Sequence, residues 1–237
     1  MTENQAVQQK SVRRNRVAAA ACLAAALITA SVVGTQSATA DGAARNTARP
    51  TPAASQSAPT GHPTAAAAAA PGLGSARLVQ SEDYAQQGLN PVGATVALTG
   101  RQGLSACSGE ETMRDLTKGT ATAYASVTWT FDTAGLLTES AASAPTGTLA
   151  ATWEKQLVAL VEDCQDEPAG HWRYGAAHTL TVTGGTARWY PSYSGDGVAG
   201  GGVAVLRSGS RVAVVELTGT PGSVEGLATA ALKRLSA

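Results

Sequence analysis

Residues 148–164 read TLAATWEKQLVALVEDC, from Thr148 to Cys164. Leu149, Trp153, Leu157, Leu160, Val161 and Cys164 recur at a spacing of three and four, which is one face of an α-helix. Lys155, Gln156, Glu162 and Asp163 fall on the other side. The stripe predicts a helix buried along one side, with Cys164 on its apolar edge.

The segments around this helix alternate with a period of two. Thr120 to Phe131 is the clearest case. Ala121, Ala123, Ala125, Val127, Trp129 and Phe131 interleave with Thr120, Thr122, Tyr124, Ser126, Thr128 and Thr130. That pattern predicts a strand with one buried face. Asp132-Thr133-Ala134-Gly135 is turn chemistry, and Leu136–Ser143 returns as the antiparallel partner. Beyond the helix, Ala177–Thr183 and Ala187–Tyr193 read as strands around Gly184-Gly185. Val203–Arg207 and Arg211–Leu217 form a hairpin through Ser208-Gly209. Val212–Val215 is continuously apolar, which suits a central strand covered on both faces. Val224, Leu227, Ala228, Ala231 and Leu235 mark a last helix, with Ser223 as its expected cap. Ser81 is the expected cap of a short opening helix or turn. The order predicts an α+β domain, an antiparallel sheet with the central and C-terminal helices on one face.

The chain has 237 residues and no formal net charge. Lys10, Arg13, Arg14 and Arg16 crowd the start, so the remainder is mildly acidic and has no basic cluster. Such a surface excludes nucleic acid as the expected partner. The arginines precede an apolar run, Val17 to Val33, and then Ala38-Thr39-Ala40 with small residues at −3 and −1. These parts predict an export signal over 1–40, cleaved near Ala40. The expected location is secreted or cell-envelope associated, with membrane attachment only if the signal stays uncleaved. Residues 41–76 are almost entirely Ala, Pro, Thr, Ser and Gly and read as a disordered spacer. The folded domain is expected over 77–237. Once Cys22 leaves with the signal, Cys107 and Cys164 are a pair in an exported protein. A bridge between them is expected, worth about 4 kcal/mol in the chain-entropy model, with two separate thiols as the alternative.

Motifs for hydrolase nucleophiles, zinc, nucleotide phosphates or dinucleotides are missing from the sequence. His171 reads as a surface residue and His178 as a core or edge residue. Glu162, Asp163, Asp166 and Glu167 gather at the end of the central helix, where a solvated polar face is the bland reading and oxygen ligands for calcium the sharper one. Neither a metal nor a cofactor is expected. The densest aromatic stretch is Arg188-Trp189-Tyr190-Pro191-Ser192-Tyr193. Trp189, Tyr190 and Tyr193 are the candidate binding residues, beside a Gly-rich loop at 195–202. They suit a glycan or lipid if they line a groove, and packing if they do not.

The domain resembles the PknH-like extracellular sensor domains of actinobacterial receptor kinases and related exported proteins. The resemblance rests on Leu78-Val79 with Asp83, Cys107, the helix Trp153, Leu157, Leu160, Val161 and Cys164, then Trp172, Arg188-Trp189, Val205-Leu206-Arg207, Val212-Ala213 and the terminal helix. It implies a twisted antiparallel sheet with helices and a cleft for a small ligand. This chain departs from the pattern in having one possible disulfide instead of two, and in carrying no kinase. Signalling therefore does not carry over, and no binding residue transfers by position. The expected function is an exported ligand-binding or sensor-like domain without catalysis, taking an unidentified small molecule or envelope component. A secreted protein-interaction module, inhibitor-like or partner-binding, is the alternative, and a hydrolase with a motif-free site comes last.

Overall fold

The structure is a computed structural model, and it describes residues 73–104, 111–168, 170–219 and 224–237. The export signal, nearly all of the spacer, Cys107 and the Ser223 cap lie outside the described residues, and so does the Cys107–Cys164 pairing.

Among the described residues, eight antiparallel strands form one sheet. They are β1 (Pro91–Ala97), β2 (Ala123–Phe131), β3 (Leu136–Ser143), β4 (Arg173–Tyr174), β5 (His178–Val182), β6 (Gly185–Tyr193), β7 (Ala199–Ser208) and β8 (Arg211–Thr218). The order is β1-β2-β3-β8-β7-β6, with β5 and β4 sharing the outer side of β6. Among the described residues, four helices accompany the sheet, after a 3-10 turn at Ser75–Arg77. They are α1 (Ser81–Ala85), α2 (Met113–Leu116), α3 (Gly147–Glu162) and α4 (Val224–Ser236).

The α+β class holds, but the helices do not share a face. β7 and β8 are apolar at both parities, so each face of the sheet needs cover. Ala204, Leu206, Ala213 and Val215 pack with Leu227, Ala231, Leu232 and Leu235 of α4 on the first face. Val203, Val205, Val212 and Val214 pack with Trp153, Leu157, Val158 and Val161 of α3 on the second. Burying two sides of a central hairpin takes two helices, one above and one below.

The local signals explain the elements. Thr146 caps α3 by accepting the Leu149 N–H at 3.2 Å. Cys164 is buried just past its end. Gln80 takes the N-cap of α1 in place of Ser81, and the Asp83 carboxylate accepts the Gln80 N–H at 2.9 Å. The folded part also starts earlier than the composition suggests. Leu73 and Ser75, assigned to the spacer, are buried, because Leu73 joins the first-face core.

The run Gly200-Gly201-Gly202 lies inside β7, where the pairing with β6 is irregular. Gly201 has φ +117, and a Cβ there would collide with the Leu217 carbonyl oxygen. Both facts demand glycine. Gly201→Ala is expected to destabilise the domain by more than about 2 kcal/mol, read as a lowered denaturant midpoint with unchanged slope.

Candidate binding surface

The three aromatic residues singled out in the sequence separate in the fold. Consecutive strand residues point to opposite faces. Tyr190 points to the second face and is fully buried, with its hydroxyl 3.4 Å from Glu162 Oε1. Burial, with Glu162 nearby, pushes its phenol above the ordinary value. Arg188 sits beside the same carboxylate at 3.7 Å. Tyr190 is thus a core residue and leaves the candidate set.

Trp189 and Tyr193 are half-buried; Trp189 packs on the first-face core, and Tyr193 falls on the same side because its neighbour Ser192 pairs with Tyr174 of the second-face core. Trp189 pairs across the strands with His178, and the two rings stack with centroids 4.2 Å apart and planes 15° from parallel. His178 is exposed on β5, at the end of the strand away from Val182. Tyr193 pairs with Arg173 of β4, which is also exposed. Between these pairs lies Pro191. The Tyr193 ring and Pro191 both pack against Gly175, where any side chain would collide with them. The Gly175 N–H donates to the Pro191 carbonyl at 2.7 Å. In an antiparallel ladder a residue's N–H and C=O point the same way. The missing N–H of Pro191 therefore falls on the outer side of β6, in the gap between β5 and β4. At that position β6 has no strand partner to lose on its outer side, which suits proline, and on its inner side the β6–β7 register shifts between Pro191 and Tyr193.

The result is a strip of His178, Trp189, Pro191, Tyr193 and Arg173 along one margin of the first face. His178 and Arg173 are exposed there and the rings between them half-buried, while α4 packs on the same face. That helix crosses from Gly202, which Val224 overlies, to Gly185, which Leu232 and Ser236 overlie. The strip has flat apolar rings, an imidazole and a guanidinium. It suits stacking on a planar or sugar-ring face with a polar group held by Arg173.

The remaining candidates resolve as follows. His171 is exposed and lies 3.5 Å from Glu167. Glu162, as above, faces Arg188 and Tyr190. Among the described residues, no group of three or more His, Cys, Asp or Glu is placed to hold a metal. A shallow depression of about 280 Å³ lies elsewhere, against Val182, Thr183, Lys233, Ser236 and Ala237. Sequence reasoning missed His178 as the partner of Trp189, and it missed Glu139, a fully buried carboxylate on β3. Its signal was present: Glu139 shares strand parity with Leu137 and Ala141.

These features define an α+β domain with one antiparallel sheet between helices and an aromatic strip at the sheet margin. Among solved structures, it is similar to the extracellular domain of PknH from Mycobacterium tuberculosis. The identity is 15%, the TM-score 0.47, and the match covers 74% of this chain and 98% of that one. No protein-family model and no curated protein matches the chain. No helix among the described residues is long and apolar enough to cross a membrane.

Proposed function

We propose that this chain is an exported, non-catalytic ligand-binding or sensor-like domain of the cell envelope, and that the β5–β6–β4 strip is its recognition surface. The observation that carries the reading is the stacked His178–Trp189 pair. It sets an exposed imidazole flat on a half-buried indole at the sheet margin. The export signal and spacer read from the sequence fit a domain held away from a surface. The ligand class is an envelope glycan or lipid headgroup, which offers a ring or apolar face together with polar groups for Arg173.

Native mass spectrometry of the protein purified from its exporting host tests this. A bound small molecule is expected in the wild type. Loss of at least about 90% of it is expected in His178→Ala/Tyr193→Ala, with the thermal midpoint unchanged to within a few degrees. Both side chains are solvent-facing enough to be trimmed without opening the core. The same mass retained by the double variant would place binding away from the strip.

The second reading, a partner-binding module, is favoured by β1. This edge strand reads Pro91-Val92-Gly93-Ala94-Thr95-Val96-Ala97, carries no charge, and exposes Val92 at 56%. Uncharged edges accept an added strand. A wild type that carries no small molecule, yet loses a co-purifying protein on Ala94→Pro, whose N–H points away from β2, would support that reading.

A further inference from the structure

The first face contains a carboxylate that the proposed binding surface does not use. Glu139 stands on β3 between Val127 of β2 and Val215 of β8, and it is 0% exposed. Its Oε2 accepts the Val79 N–H at 2.7 Å. Its Oε1 is buried without a hydrogen-bond partner among the described residues, and the same holds for the Tyr84 hydroxyl. The titratable and charged groups that face it are few. α1 supplies Asp83 and Tyr84, and α4 supplies Arg234. β2 and β8 set only valines beside it.

What covers Glu139 is the segment Leu73–Ala85, into which residues 1–72 lead. Four ties hold this strap down. Val79 N–H bonds to Glu139 itself. Trp129 Nε1–H donates to the Val79 carbonyl at 3.2 Å. Arg234 bridges to Asp83 and Glu82. Leu73, Leu78, Val79 and Tyr84 are buried. By contrast β3 is laddered on both sides over its full length. An ionised carboxylate in an apolar core is costly unless water reaches it. The smallest opening that admits water is to lift the strap, which leaves every ladder of the sheet intact.

We infer that Glu139 is a proton-controlled latch: neutral, it holds Leu73–Ala85 on the sheet through Val79; ionised, it favours a form in which that strap has lifted. Burial raises its carboxyl from the ordinary 4.5 to about 8, with the Val79 N–H the main opposing influence, Asp83 adding to the rise and Arg234 reducing it. The ionisation therefore falls where surroundings change from neutral to mildly alkaline. The consequence concerns the junction between the domain and everything N-terminal to it, independently of what the aromatic strip binds.

Hydrogen exchange of the full chain from pH 5.5 to 8.5 tests the latch, expressed as protection factors so that intrinsic rates cancel. Strap amides, Val79 above all, are expected to exchange through an opening well below that of β7 and β8. Their protection should fall about tenfold per pH unit up to about pH 8. In Glu139→Gln the strap protection should stay within about twofold across the range. Three results would overturn the proposal: strap and sheet amides equally protected at every pH, a strap indifferent to pH in the wild type, or the same fall in Glu139→Gln. Should that variant not fold, the strap-against-sheet comparison in the wild type decides alone.

Discussion

Glu139→Gln is expected to raise stability at pH 8 by roughly 3–5 kcal/mol and to leave it nearly unchanged at pH 4.5. The folded form holds the Glu139 proton up to about pH 8, whereas the unfolded chain releases it near 4.5. Between those values the unfolded state binds fewer protons, so wild-type stability declines as pH rises and levels off above about 8. The carboxamide cannot ionise and keeps an oxygen for the Val79 N–H. Urea unfolding at half-unit pH steps measures the difference. Parallel pH profiles for the two proteins would mean that Glu139 is hydrated in the native state. A loss of this size is a large share of the 5–15 kcal/mol that holds a typical domain together.

Trp129→Ala is expected to cost about 3–5 kcal/mol and to lower the thermal midpoint by roughly 10–15 °C. The indole is fully buried on the first face. Tyr84 meets it edge-on with ring centroids 5.1 Å apart, and Tyr84 meets Phe131 in the same way at 5.1 Å. The truncation removes the largest buried side chain of the core and leaves the Val79 carbonyl without its donor. Trp129→Phe separates the two losses. It keeps most of the ring volume and gives up the Nε1–H, so about 1–3 kcal/mol is expected from the unpaired carbonyl and the residual gap. Calorimetry of both variants at one pH makes the comparison. Near-equal midpoints for the two would mean that the hydrogen bond, not the packing, dominates at this site.

What could be read in advance was whatever repeats. β2 announced itself by strict alternation, and Ala123, Ala125, Val127, Trp129 and Phe131 all line the first-face core. α3 announced itself by its stripe, and the β7–β8 hairpin by Ser208-Gly209. Features that depend on one or two residues were silent. β4 is only Arg173–Tyr174, too short to show a period. Gln80 displaced Ser81 as a cap because its side chain also reaches the Ser75 and Leu78 carbonyls, contacts set by the chain's return path. The binding residues were half legible. Strand parity alone splits Tyr190 from Trp189, whereas the stacking of His178 on Trp189 depends on a register that no single segment reveals. The placement of helices on opposite faces was latent in the two-sided apolar runs of β7 and β8.

The β3–β8 pairing has a consequence for how the chain reaches this structure. β1, β2 and β3 join through neighbours in sequence, and β5, β6, β7 and β8 do the same. Each group can zip up as local hairpins. The seam between them matches Ala141 with Ala213, across an intervening stretch of about 70 residues. Closing that loop costs about 4 kcal/mol of chain entropy before the first seam bond forms. Union of two prefolded halves is then the slow event of folding. A backbone cut between α3 and β4 would leave two fragments, each holding one half of the sheet, with β3 and β8 as the edges along which they recombine.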